Sequence, residues 1–262
     1  MHEFSRSTPV LVNLSLPTGS VDIIAEDSDS ISVEVSPVGS SRQDREASEN
    51  TIVELHGDEL RIESPKGTGY MRETVQLQMR VHVPTESSLK IGVASAPVKC
   101  IGRFRAVSIT SASGDVEVEE ASGDVRLRSA SGALRIESVS AKFNARTASG
   151  NVTANTVVGP STLRSSSGDM EIASIETDLK SKNASGALKI GSAHTGTIIA
   201  QSASGEISVG VKTATALAVN LESVSGRVSN ALETANDGSV PSELTIQARS
   251  KSGDIEIVSA SD

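Results

Sequence analysis

Four cations stand at one spacing: Arg128, Arg146, Arg164 and Lys182 follow one another at a constant interval of eighteen, with Arg126 and Lys180 two positions before the first and the last. If the chain repeats its structure at that interval, these side chains form one outward row. A row of like charges is unfavourable until an anion or neighbouring carboxylates offset it. The chemistry on offer is recognition of an acidic ligand, weighed against a solvated face paired with nearby acids.

The other reactive side chains are arranged less tellingly. Asp115, Asp124, Asp169 and Asp254 each follow a glycine, as calcium-binding rungs would require. Ala133, Asn151, Ala187, Glu206 and Arg227 hold the equivalent positions elsewhere, so the column of oxygen ligands is broken and the aspartates read as turn formers. Gly67-Thr-Gly69 lacks the Gly-Lys-Ser/Thr that would make it a phosphate loop. No serine sits in Gly-x-Ser-x-Gly, and of His2, His56, His82 and His194 only the last lies in the regular repeats, in the turn-like Gly-Ser-Ala-His-Thr-Gly. Cys100 stands four positions after Ala96, an inward place that suits a small core residue. The reading is therefore no catalytic residue, no metal ligand and no cofactor.

The elements that must position the cationic row follow from the repeat. The chain writes Ser-Ala-Ser-Gly114, Ser-Ala-Ser-Gly132, Thr-Ala-Ser-Gly150, Ser-Ser-Ser-Gly168, Asn-Ala-Ser-Gly186 and Ser-Ala-Ser-Gly205. These glycines fall eighteen apart four times and nineteen apart once. Ser-Val-Ser-Gly226 and Ser-Lys-Ser-Gly253 follow at 21 and 27. Apolar residues recur two and four positions after each glycine, as in Val116/Val118, Leu134/Ile136, Met170/Ile172 and Leu188/Ile190. Period two marks a strand with one buried face. The pattern recurs half a unit later, as in Val125/Leu127 and Phe143/Ala145, so each unit holds two short strands and no helix.

Two strands per constant-length unit define an all-β solenoid, a two-sheet β-roll or β-helix with coils of about 18 residues. In it the glycines are expected to supply φ > 0 at a corner, beside a ladder of Ser113, Ser131, Ser149, Ser167 and Ser185. Residues 1–93 read as N-terminal strands forming a cap, with a polar, solvated loop at 39–50. Residues 94–262 read as regular coils with a loop at 234–243, the whole forming one domain.

Composition agrees. With 262 residues, three Phe, one Tyr and no Trp, the core must be aliphatic and thin. A net charge of −9 disfavours general nucleic-acid binding, which needs a basic surface. A single cysteine rules out an intramolecular disulfide. The N-terminus carries no apolar signal region and no apolar run reaches the roughly 18 residues of a membrane span, so the expectation is a cytoplasmic protein.

From Leu-Pro-Thr-Gly19-Ser-Val-Asp-Ile through Val81-His-Val-Pro84 to Glu-Ser-Val-Ser-Gly226-Arg-Val and Lys-Ser-Gly253-Asp-Ile-Glu-Ile, the chain resembles the bacterial β-strand-repeat domains called toastrack or adhesin-like domains. The resemblance implies the repeat architecture and a link to envelope-stress systems, and no established activity. The leading function is a non-enzymatic scaffold or interaction module with a protein partner or self-association through its ends. Arg126, Arg128, Arg146, Arg164, Lys180 and Lys182 are its candidate site for an acidic ligand such as anionic lipid. The alternatives are an adhesin-like extracytoplasmic binder and, last, a carbohydrate-active enzyme, for which aromatic platforms and paired carboxylates are wanting.

Overall fold

The computed structural model describes residues 1–65, 75–212, 216–232 and 243–260. They fall into two compact units, Met1–Ala133 and Leu134–Asp262. Gly67-Thr-Gly69 lies outside the described residues, as does nearly all of the expected 234–243 loop.

The first unit runs β1 (His2–Ser5), β2 (Leu11–Leu16), β3 (Gly19–Glu26), β4 (Ser30–Pro37), α1 (Arg42–Glu49), β5 (Ile52–His56), β6 (Glu59–Glu63), β7 (Leu77–Pro84), β8 (Ser88–Val93), β9 (Val98–Phe104), β10 (Val107–Ser111), β11 (Val116–Ala121) and β12 (Val125–Ser129). One of its sheets is ordered β1-β4-β7-β3-β9-β11 and the other β12-β10-β8-β2-β6-β5. Strands β2, β3 and β6 to β12 stack in parallel, two to a coil, as a solenoid demands. β1, β4 and β5 pair antiparallel and form the N-terminal cap, covering edges that would otherwise expose unpaired backbone.

Residues 39–50, expected to be a solvated loop, contain α1 instead. Ser41 caps it by accepting from the Asp44 amide at 3.0 Å, and Arg42 pairs with Glu46 one turn on at 2.6 Å. Only Asp44 and Ala47 of the helix are buried, so no apolar stripe marks it in the sequence. The Asp44 carboxylate accepts from the Gln76 amide at 2.9 Å, and this bond, followed by side-chain hydrogen bonding with the Ser41 hydroxyl, holds its pKa below the usual carboxylate range.

The second unit runs β13 (Leu134–Val139), β14 (Phe143–Arg146), β15 (Val152–Val157), β16 (Ser161–Arg164), β17 (Met170–Ile175), β18 (Leu179–Lys182), β19 (Leu188–Ala193), β20 (Gly196–Ser202), β21 (Ile207–Val211), β22 (Leu217–Ser223), β23 (Val228–Asn230), β24 (Leu244–Ser250) and β25 (Ile255–Ser259). Its described ladders are parallel, ordered β13-β15-β17-β19-β21-β25-β23 in one sheet and β22-β24-β20-β18-β16-β14 in the other. Between them lies an aliphatic core: Leu134, Ile136, Val152, Ile172, Leu188 and Ile190 face Phe143, Leu163 and Leu179, none more than 2% exposed.

The glycines keep the corners for a reason other than the one expected. Positive φ occurs at Gly19, Gly57, Gly102 and Gly196 and not at the Ser-Gly corners. There the constraint is contact: a Cβ on Gly186 would overlap the Gly168 carbonyl oxygen and lie 2.6 Å from its carbon. The corner is closed by the side chain three positions before the glycine, since Ser165, Ser202 and Ser250 accept the amides of Gly168, Gly205 and Gly253, each at 2.8 Å. The serine next to the glycine is solvent-exposed in Ser131, Ser149, Ser167 and Ser185.

Two outcomes are expected. Gly186→Ala costs about 2–4 kcal/mol in urea unfolding because backbone, not a flexible side chain, blocks the methyl; Gly92→Ala, with nothing within 4 Å of the new atom, stays within about 0.5 kcal/mol. Stability carried by ionised Asp44 is present above the ordinary carboxylate pKa and lost as pH falls through its lowered value, so Asp44→Asn flattens the decline of the urea midpoint between about pH 5 and pH 2.

Candidate functional site

On each solenoid strand that runs into a Ser-Gly corner, the residue four positions before the glycine points outward. In the second unit the register sets Arg146 beside Arg164 and Arg164 beside Lys182. All three are exposed, as is Lys180, whose neighbours in its own row are Thr162 and Ile199. In the first unit Arg126 and Arg128 lie on β12 beside Ser108 and Thr110 of β10, and they too are exposed.

The row continues past the residues that spacing identified. Lys182 neighbours Gln201, Gln201 neighbours Arg249, and Arg249 neighbours Glu222, with which it pairs at 3.3 Å. Lys182, Gln201, Arg249, Lys251 and Glu222, with Ser202 and Ser250, line a concavity of about 490 Å³. Arg249 and Lys251 escape the regular count because their coil follows an interval of 27. Counting four back from Gly253, as from Gly205, does find Arg249.

Electrostatics separates the two faces of this unit. On the opposite sheet Lys189 and Glu171 pair at 3.5 Å. On the cationic face Arg146, Arg164, Lys180 and Lys182 make no ion pair among the described residues. Neighbouring rungs are about 4.8 Å apart, at which two unit charges repel by about 1 kcal/mol in bulk water and more beside a protein surface.

The remaining reactive groups are consumed by structure. Asp115, Asp169 and Asp254 accept the amides of Ala133, Ala187 and Arg227 on the next rung at 2.7–2.8 Å, a backbone role in place of a calcium column. No group of three His, Cys, Asp or Glu able to hold a metal occurs among the described residues. Cys100 is buried, and desolvation pushes its thiol pKa up, away from the reactive thiolate. Ser122 donates to Glu86 at 2.6 Å, but that bond and Arg103 lower the carboxyl's pKa, leaving a weak base. Among the described residues the His194 ring reaches the hydroxyls of Ser174 and Ser192, at 3.4 and 3.3 Å. No described helix is long and apolar enough to cross a membrane.

A family model described as Toastrack DUF4097 matches residues 12–262. Among solved structures, a "putative lipid binding protein" from Parabacteroides distasonis shares 17% identity over 98% of this chain and 95% of its own, with a TM-score of 0.44. A "putative adhesin" from Bacteroides fragilis shares 11% over 98% and 95%, at 0.40. Another from Parabacteroides distasonis shares 10% over 97% and 95%, at 0.43. Among curated proteins none matches.

If Asp169 serves the backbone, Asp169→Asn, which keeps an acceptor, holds stability within about 0.5 kcal/mol while Asp169→Ala loses about 1 kcal/mol. Millimolar calcium leaves the melting temperature of the unsubstituted protein unchanged. A calcium-dependent rise abolished by Asp169→Asn would contradict this assignment.

Proposed function

We propose, for a chain that belongs to the Toastrack DUF4097 family, a non-enzymatic role as an interaction module that docks an anionic surface on the β14-β16-β18 face. The observation that carries this reading is the stacked row Arg146, Arg164 and Lys182, exposed and without an ion pair among the described residues in a protein of net charge −9. A protein with acid to spare leaves these cations uncompensated, and an external anion supplies what the fold does not.

The chemistry of the face narrows the ligand. None of the row's members on these strands is aromatic, so bases or sugar rings find nothing to stack on. What remains is charge presented on rigid strands, which suits acidic phospholipid headgroups. Each cation near such a surface contributes about 1 kcal/mol, screened by salt. Arg146, Arg164 and Lys182 with the adjoining Lys180 give weak, salt-sensitive binding of the kind that several copies or a second contact would reinforce.

The test is co-sedimentation with vesicles of neutral phospholipid with and without phosphatidylserine. The protein is expected to sediment with the acidic vesicles at low salt and to be released at high salt. Arg146→Glu/Arg164→Glu is expected to reduce partitioning about a hundredfold or more, with circular dichroism unchanged. Arg135→Glu/Lys189→Glu, the same charge change on strands β13 and β19 of the other sheet, is expected to retain most of it. Equal loss in both variants, or no preference for acidic vesicles, would overturn the reading.

A further inference from the structure

Chain order and stacking order part company at the last described coils of the second unit. Strands β22 and β23 precede β24 and β25 in the sequence, yet β24 lies between β20 and β22, and β25 between β21 and β23. β24 is paired along its whole length on both sides, Leu244 to Ser250 against Gly196 to Ser202 and against Leu217 to Ser223. β25 is likewise paired with β21 and with β23. The corner repeats the arrangement, since Gly253 packs on the Gly205 carbonyl and Gly226 on that of Gly253.

The strand pair 244–259 thus fills a slot whose two walls are made by earlier parts of the chain. Leu244, Ile246, Ala248, Ile255 and Ile257 are at most 1% exposed within it. The outer wall depends on the plug: among the described residues, β22 and β23 have no sheet neighbours other than β24 and β25. Its own apolar residues are poorly covered, Val224 being 80% and Val228 44% exposed. The chain from Asn230 to Leu244 reaches at most roughly 45–50 Å when extended, several times the rise of the one rung it must step back.

We infer that this plug is exchangeable between two copies of the chain: residues 244–259 of one copy enter the slot of another, and the reverse, giving a strand-swapped dimer. Every ladder bond, buried side chain and corner contact of the plug is available unchanged in the second copy's slot, because the residues are the same. Exchange therefore costs mainly the entropy of association and is favoured by mass action when folding occurs at high concentration.

The test uses two full-length variants, Ser208→Cys and Glu256→Cys, at positions paired across β21 and β25 on the outer face. Parallel neighbours lie within disulfide range, and the thiols are kept reduced until refolding is complete, when Cys100 is buried and out of reach of the oxidant. A chain carrying both substitutions closes an internal disulfide. When the two single variants are unfolded together and refolded, a disulfide between residues 208 and 256 of different chains forms only through exchange. Peptide mapping is expected to show it, rising about tenfold for a tenfold increase in protein concentration at low conversion. A yield no higher than in a mixture never unfolded, or independent of concentration, would overturn the inference, as would failure of the double variant to close internally.

Discussion

The corner glycine lying against the carbonyl of the glycine one rung away is the contact on which the stack depends. With no Cβ at that point two backbones approach as strand spacing requires; with one, the rungs are held apart. At several corners the hydroxyl three positions earlier then accepts the glycine amide, as Ser165 does for Gly168, while Ser111 and Asn183 donate instead to the carbonyls of Gly114 and Gly186. In the second unit the constraint fixes the spacing on one side of the roll and keeps a small polar residue, Ser, Thr or Asn, three positions before the glycine. From Ser165 to Gly168, from Ser202 to Gly205 and from Ser250 to Gly253 the spacing is always three. In the second unit the departures from the regular coil length fall between β19 and β20, β21 and β22, and β23 and β24, the connections opposite the Ser-Gly corners.

That asymmetry explains what is legible from the sequence alone. Glycine spacing and period-two valines, leucines and isoleucines locate both strands of each regular coil, because burial in a thin aliphatic core admits little else. The same count places Arg146, Arg164 and Lys182 in one row. It fails where pairing ceases to follow sequence. Nothing local to Leu244–Ser250 says that its neighbour is β20 as well as β22, since all three strands present the same inward pattern. In the first unit, β6 and β7 stack on the far side of β2 and β3 from β8 and β9 by the same indifference. The glycine conformation is misread because φ > 0 and close approach select the same residue. Helix α1 escapes notice because a capped, ion-paired turn with one buried alanine has no amphipathic period.

The site is legible to the extent that it is periodic. Arg249 and Lys251 join Lys182 around one concavity only because a later coil is stacked ahead of an earlier one. Arg126 and Arg128 share the row position within their own unit, where Ser108 and Thr110 replace cations on the adjoining strand. The β14-β16-β18 part of the face is distinguished less by its positive charge than by the lack, among the described residues, of a carboxylate paired with Arg146, Arg164 or Lys182, a pattern visible once neighbours across strands are known. Aspartates that could have offset the cations are spent at the turns, holding the amides of the next rung.

Placing β24 and β25 beneath β22 and β23 has a consequence for the order in which the polypeptide is made. Residues 217–230 leave the ribosome before residues 244–259, the segment that, among the described residues, gives them a sheet to join. A nascent chain paused between the two presents a finished edge at β20 and β21 and a valine-bearing segment beside it whose intended neighbour does not yet exist. The repeat cannot be completed by simple accretion from one end. Its closure waits on a later segment.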